Sequence, residues 1–201
     1  MMRLPMFFIA AAALAATGAA PAAPAPAPVQ HRATAVFAGG CFWCTESDFD
    51  HVPGVIDTTS GYTGGKGDHP TYEQVSAGGT GNFEAVRVTY DPAKVSYPQL
   101  VRHFLRTVDA VDGGGQFCDR GTQYRSAIFV GSPAEKGGAQ AALRDAGVQL
   151  KKPIATLLLP ATAFWPAEGY HQDYYKKNPV RYKFYRWNCG RDQRLSALWK
   201  H

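Results

Sequence analysis

The sequence predicts a mixed α/β (α+β) domain with helices packed on a mixed β-sheet, and three observations predict it. Strand-like and helix-like segments alternate along the chain in the order strand, helix, strand, strand, helix, strand, helix, strand. Phe83–Tyr90 (FEAVRVTY) reads as a strand, with Val86, Val88 and Tyr90 alternating with Arg87 and Thr89 at a period of two, and Asp91-Pro92 stops it. Ser132-Pro133-Ala134-Glu135 has the pattern of a capping box with proline at the first helical position, which opens a helix toward Leu150.

The chain has 201 residues, and its start does not read as folded structure. One basic residue, Arg3, precedes an alanine-dominated apolar run over 6–16 and the small-residue exit Ala20-Pro21-Ala22. That is the make-up of a secretory leader, and the run is shorter than the ~20 residues that span a bilayer. Residues 1–22 are therefore expected to be a signal peptide, 23–32 a stiff Pro/Ala-rich linker, and 33–201 one domain. The address implied is periplasmic or secreted.

Within the domain, residues 33–38 (ATAVFA) form a strand ended by Gly39-Gly40, and FWCTESDF after Cys41 begins a helix. A second strand is expected over 55–60, and glycines with Pro70 make the stretch to about Gly81 a long loop. After the Phe83–Tyr90 strand, Leu100, Phe104, Leu105 and Val108 recur at helical spacing, which predicts a helix over Tyr97–Thr107. Further strands are expected over 127–130 and 154–159, and the aromatic-rich stretch 164–201 reads as an irregular segment that wraps the core.

The formal charge is +5, with basic residues gathered near the C-terminus between Lys176 and Arg194. Interleaved tyrosines fit a solvated surface segment whose rings pack inward better than a nucleic-acid face, so no nucleic-acid partner is expected. No long apolar surface stripe is visible, and a monomer is expected. The four cysteines, Cys41, Cys44, Cys118 and Cys189, lack the second close pair of a zinc site, and the six histidines are scattered. No metal or other cofactor is expected.

Cys41 follows two glycines at a strand-to-helix junction, where the backbone turns tightly and the helix N-terminus favours a thiolate. A C-x-x-C staple with Cys44 closes so short a loop that it adds little stability, which favours a redox role for the pair. Phe42 and Trp43 beside it are either core or the walls of an apolar pocket. Glu84 shares the face of Val86, Val88 and Tyr90 in its strand. A carboxyl group on that apolar face is held protonated by desolvation and is suited to act as a general acid; the equal alternative is a glutamate at the frayed first turn of the strand, simply solvated.

The runs GGCFWCTE, SGYTGG, PTYEQVSAGGTGNFEAVRVTYDP and CDRGTQYRSAIF, with NPVRYKFYRWNCGRD near the end, together resemble the A-type peptide methionine sulfoxide reductases. The resemblance implies a two-layer α/β sandwich with a ferredoxin-like core and an open site. It implies Cys41 as nucleophile, Phe42 and Trp43 as walls of a methyl-binding pocket, and Glu84 as the acid toward the sulfoxide oxygen. Tyr72 and Tyr124 would be hydroxyl donors, and Asp119 would orient substrate and water. The substrates implied are oxidised proteins or peptides carrying the S epimer of methionine sulfoxide. The Cys41 sulfenic acid left by the reaction would be taken up by a second thiol and restored by a thioredoxin-like reductant. Cys189 matches the location of a family recycling cysteine and is the expected resolving residue, with Cys44 and Cys118 as alternatives. The chain departs from the family in carrying Asn82 where members commonly have histidine, so any role of that histidine is absent.

Two other readings fit the cysteines. A general thiol-disulfide oxidoreductase explains the C-x-x-C but not Glu84, Tyr72 and Tyr124. A secreted binding module stapled by two disulfides predicts that no thiol is free.

Overall fold

The computed structural model describes residues 31–200. The expected leader, and the linker up to residue 30, lie outside the described residues. In chain order the elements are β1 (Ala33–Gly39), α1 (Phe42–Asp50), β2 (Val55–Thr63), α2 (Tyr72–Ser76), β3 (Phe83–Tyr90) and α3 (Tyr97–Thr107). A two-residue hairpin pair, β4 (Gly115–Gln116) and β5 (Asp119–Arg120), leads into a 3-10 turn (Thr122–Tyr124). Then come β6 (Ser126–Val130), α4 (Pro133–Leu150), β7 (Leu157–Pro160), β8 (Phe164–Pro166), α5 (Tyr174–Lys177), α6 (Pro179–Asn188) and α7 (Arg191–Leu198).

Six strands make one mixed sheet in the order β7-β6-β1-β3-β2-β8. Only β6 and β7 run parallel, from Ala127 opposite Leu157; the other neighbours are antiparallel. The period of two sorts the strand residues onto two faces. Phe37, Val86, Val88 and Tyr90 join the main core with Phe49, Leu100, Phe104 and Ala142 of the helices. Ala38, Phe83, Ala85, Ala127 and Phe129 form a smaller cluster on the opposite face. The helices α1, α3 and α4 thus cover one face of the sheet, the two-layer arrangement the resemblance implies.

The helix signals act as their chemistry requires. Ser96 and Gln99 form a reciprocal capping box at α3, and Tyr97, Leu100, Val101, Phe104 and Leu105 make its buried stripe. Ser132 caps α4 by accepting from the Glu135 amide at 3.2 Å. The Glu135 carboxylate turns instead to the amide of Gly131, at 2.7 Å, so the box at α4 is only half formed.

Three expectations need correction. The loop before Gly81 contains α2, because Thr71 and Gln74 form a capping box there. Residues 154–156 are not part of a strand: the amides of Ala155 and Thr156 both donate to Ala110 O, at 2.7 and 3.3 Å, and pairing with β6 begins only at Leu157. The C-terminal segment is not irregular but carries β8 and three helices. Tyr182, Tyr185, Arg186 and Cys189 recur at i, i+3, i+4 and i+7, which turns one face of α6 inward, and Gly190 at φ 65° separates α6 from α7.

Candidate active site

Cys41 occupies the junction between β1 and α1. Gly40 before it has φ +79°, and a Cβ there would come within 2.5 Å of the Gln116 side chain. Only glycine lets the chain turn this tightly against that neighbour. Cys41 O then accepts from the amides of Cys44 and Thr45 at 3.1 and 3.3 Å, closing the first turn of α1.

The cleft above this junction is lined by Cys41, Phe42, Trp43, Tyr72, Glu84, Asp119, Tyr124 and Tyr185. Seven of these eight are the residues singled out in the sequence as nucleophile, acid, hydroxyl donors, orienting acid and pocket walls. They come from β1–α1, α2, β3, β5 and the 3-10 turn, and only the fold brings them together.

Glu84 is 2% exposed, on the same sheet face as Val86 and Val88. Burial drives its carboxyl up to about 8, against the opposing hydrogen bond from the Phe42 amide to Oε2 at 3.0 Å. Burial also raises Asp119, against the Tyr185 hydroxyl that donates to it. Tyr72 is pushed up to about 12, first by burial and then by the nearby Glu84, and Tyr124 is raised for the same reasons. Both phenols therefore keep their protons and remain donors at neutral pH.

The thiol expectation is corrected. Burial raises the Cys41 thiol well above its ordinary value, helped by its hydrogen bond with Cys44. The Cys44 thiol is lowered, first by that same hydrogen bond from Cys41 and then, against burial, by the charges of Arg191 and Arg186. The reason lies in where the helix N-terminus points. Its first amide, on Phe42, is given to Glu84 rather than to the Cys41 sulfur.

Aromatic packing fixes the walls. The Trp43 indole stacks on Tyr174 at 3.7 Å with 7° between the planes, meets Tyr185 edge-on, and donates its Nε1–H to His171 Nδ1 at 3.0 Å. Burial lowers the His171 pKa, so the ring is neutral and free to accept that bond. Glu168 holds the opposite wall, accepting from the Tyr72 amide at 2.9 Å and the Tyr62 hydroxyl at 2.8 Å. Sequence reasoning missed Tyr185, His171 and Glu168. The helical repeat of α6 could have revealed Tyr185; a lone histidine and a lone glutamate in an aromatic-rich stretch give no local signal.

Cys118 and Cys189 are joined in a disulfide, with Cα atoms 5.0 Å apart, while Cys41 and Cys44 are free and buried. Two free thiols contradict the reading of a module stapled by two disulfides. Cys118 itself is exposed and directly precedes Asp119 of the cleft. Asn82 lies outside the cleft; its Oδ1 accepts from the Gly65 amide at 3.1 Å and fastens the loop after β2. Among the described residues, no group of three or more His, Cys, Asp or Glu side chains could hold a metal ion.

The sequence model of the peptide methionine sulfoxide reductases matches residues 33–201. The chain is 51% identical over 201 residues to peptide methionine sulfoxide reductase MsrA 2 of Caulobacter vibrioides, covering 99% of each. Among solved structures it is similar to methionine sulfoxide reductase A of Corynebacterium diphtheriae, with TM-score 0.69 and 35% identity over 74% of this chain and 76% of that one. It is also similar to reduced Mxr1 of Saccharomyces cerevisiae, with TM-score 0.71 and 30% identity over 74% of this chain and 87% of that one.

Proposed function

The chain belongs to the peptide methionine sulfoxide reductase family, A type, and from that premise we propose how its cleft carries out the reaction. The enzyme is an oxidoreductase that reduces the S epimer of methionine sulfoxide to methionine with thiols as reductant. The observation that carries the assignment of roles is the meeting of a free cysteine with a buried, protonated carboxyl in one aromatic cleft.

Cys41 is the nucleophile and Glu84 the acid. The sulfoxide sulfur is electrophilic, and its oxygen becomes transferable once protonated. Glu84 gives its proton to that oxygen as the Cys41 sulfur attacks, and the proton released by the Cys41 thiol restores the carboxyl. The products are methionine and a sulfenic acid on Cys41, so every atom of thiol and sulfoxide is accounted for. Phe42 and Trp43 receive the S-methyl group, whose apolar surface suits their rings. Tyr72 and Tyr124 donate hydroxyl hydrogen bonds to the developing charge on oxygen. Asp119, held by Tyr185, faces the substrate's polar side and orders water.

A thioredoxin-like dithiol protein is the proposed donor, supported by the exposure of Cys118 in the Cys118–Cys189 disulfide. The same reading takes the chain as a monomer, and the composition of residues 1–22 supports export to the periplasm or beyond.

The test is reduction of resolved S and R methionine sulfoxide by residues 31–201 with dithiothreitol, alongside Cys41→Ser. Turnover of the S epimer alone, abolished by the substitution, is expected. No turnover of either epimer by folded protein with Cys41 free would overturn the reading.

A further inference from the structure

We propose that the outward face of α6 is a docking surface for an anionic lipid bilayer, which holds the enzyme at a membrane while its cleft stays open to substrate.

The two faces of α6 differ in their chemistry. Tyr182 and Tyr185 turn toward the body of the protein, where Tyr182 is buried and Tyr185 lines the cleft. Val180, Phe184 and Trp187, spaced i, i+4 and i+7, form one row along the opposite side. They are 81%, 64% and 73% exposed and make up half of the large hydrophobic side chains left exposed among the described residues. The Phe184 and Trp187 rings lie 6.1 Å apart, so the row is continuous. Scattered apolar residues on a surface need no explanation, but a contiguous set of this kind marks a contact.

The charge around the row is one-sided. Helix α6 carries Arg181, Lys183 and Arg186 and no acidic residue. From Tyr174 to His201 the only acid is Asp192, which Arg186 holds at 2.6 Å. Asp173, just before that stretch, is held by Lys176 at 2.8 Å. Arg181 and Lys183 flank the row on its two sides, both exposed and neither in an ion pair among the described residues.

This combination selects among occupants. A second copy laid row against row would bring Arg181 and Lys183 of both copies together, so charge opposes self-pairing. A nucleic acid would satisfy the cations but leave Val180 without an apolar partner. A bilayer with anionic headgroups meets both needs. The three apolar side chains enter the boundary between headgroups and acyl chains, while Arg181 and Lys183 reach outward to the phosphates. The convex row needs no preformed groove, because lipid flows around it. No helix among the described residues is long and apolar enough to cross a membrane, and α6, of ten residues, would lie in the plane of the surface. Tyr185 faces away from the row, so docking leaves the cleft free for oxidised proteins at the membrane.

The test uses residues 31–201, which carry every described strand and helix; the apolar run over 6–16 is left out because it would bind lipid by itself. The protein is sedimented with vesicles of phosphatidylcholine containing a third phosphatidylglycerol, and with vesicles of phosphatidylcholine alone. Binding to the anionic vesicles alone is expected at ~0.1 M salt, falling ~5-fold or more at ~1 M as the charges are screened. Vesicles with brominated acyl chains should quench tryptophan emission, and Trp187→Phe should remove that quenching while binding persists. Phe184→Ser/Trp187→Ser and Arg181→Ser/Lys183→Ser should each weaken binding ~5-fold or more, with dithiothreitol-driven sulfoxide turnover in solution unchanged.

Absence of binding, equal binding to both vesicle types, or binding that survives Phe184→Ser/Trp187→Ser would overturn the proposal. So would a concentration-dependent dimer that the same variant abolishes, which assigns the row to a second copy, or displacement from the vesicles by a single-stranded oligonucleotide. Vesicle binding by protein that turns over no sulfoxide would support the docking and overturn the catalytic reading instead.

Discussion

Replacing Glu84 with glutamine separates a proton donor from a merely buried polar side chain. The amide has nearly the shape of the protonated carboxyl and can still accept the Phe42 amide that Oε2 accepts at 3.0 Å. It cannot release a proton, so kcat is expected to fall by a factor on the order of 10²–10⁴. Stability should move the other way. Glu84 has its folded pKa raised from 4.5 to about 8, so folding takes up a proton at any pH between the two. Below about pH 4.5 the group is neutral in both states, and Glu84→Gln should match the wild type. As pH rises the wild type alone loses stability, by about 3 kcal/mol at pH 7 and about 5 kcal/mol above pH 8, at about 1.36 kcal/mol per pKa unit. The assay is urea unfolding of both proteins at pH 4.5, 7 and 9, with epimer-resolved turnover measured beside it. A stability difference that stays flat with pH would refute the claim that burial holds Glu84 neutral. Wild-type turnover in the variant would refute its role as the acid. The pH profile of the wild type should agree, with activity lost as pH rises through about 8, where the carboxyl ionises.

Trp43→Phe keeps a ring to stack on Tyr174 but strands His171 Nδ1 without its 3.0 Å donor. It should cost about 1–2 kcal/mol in urea unfolding and raise KM for the sulfoxide several-fold, since the loosened wall no longer fixes the methyl group. Arg191→Leu removes the donors to Gly39 O and Thr107 O and should cost about 3 kcal/mol, with faster proteolysis within α6 and α7. Substituting both Cys118 and Cys189 with serine opens a link between residues 71 apart, and a loss of about 2–4 kcal/mol is expected from the freed chain entropy of the unfolded state.

The site was legible where its signals are local. A period of two is enough to place Glu84 with Val86 and Val88, and the structure finds all three buried on one sheet face. Gly39-Gly40-Cys41 marks a strand-to-helix turn without any tertiary information, and the spacing of Leu100, Phe104 and Leu105 marks α3, whose buried stripe they help to form. What stayed hidden depends on long-range contact. Trp43 and His171 are 128 residues apart, and nothing near either predicts their hydrogen bond. Four cysteines permit three pairings, and no spacing selects Cys118 with Cys189. The helices after Lys177 were missed because tyrosine and tryptophan crowd both faces: Phe184 and Trp187 of α6 are exposed while Tyr182 is buried, so the apolar stripe has no clean edge in sequence.

The direction of the α1 N-terminus sets the protonation of the cleft. A helix N-terminus lowers the pKa of a thiol only if its amides face the sulfur. Here the first amide faces Glu84, and burial acts on Cys41 unopposed by it. An ionised thiol and an ionised carboxylate side by side in so enclosed a cleft would be two like charges removed from water, which desolvation and repulsion both disfavour. The resting site therefore keeps a proton on each group. That is the inventory the reaction uses, because the oxygen needs a proton at the moment the sulfur becomes a nucleophile. Cys41 is activated by the arrival of a sulfoxide rather than by its position alone, and the Phe42 amide contributes by holding the carboxyl where it meets the substrate oxygen.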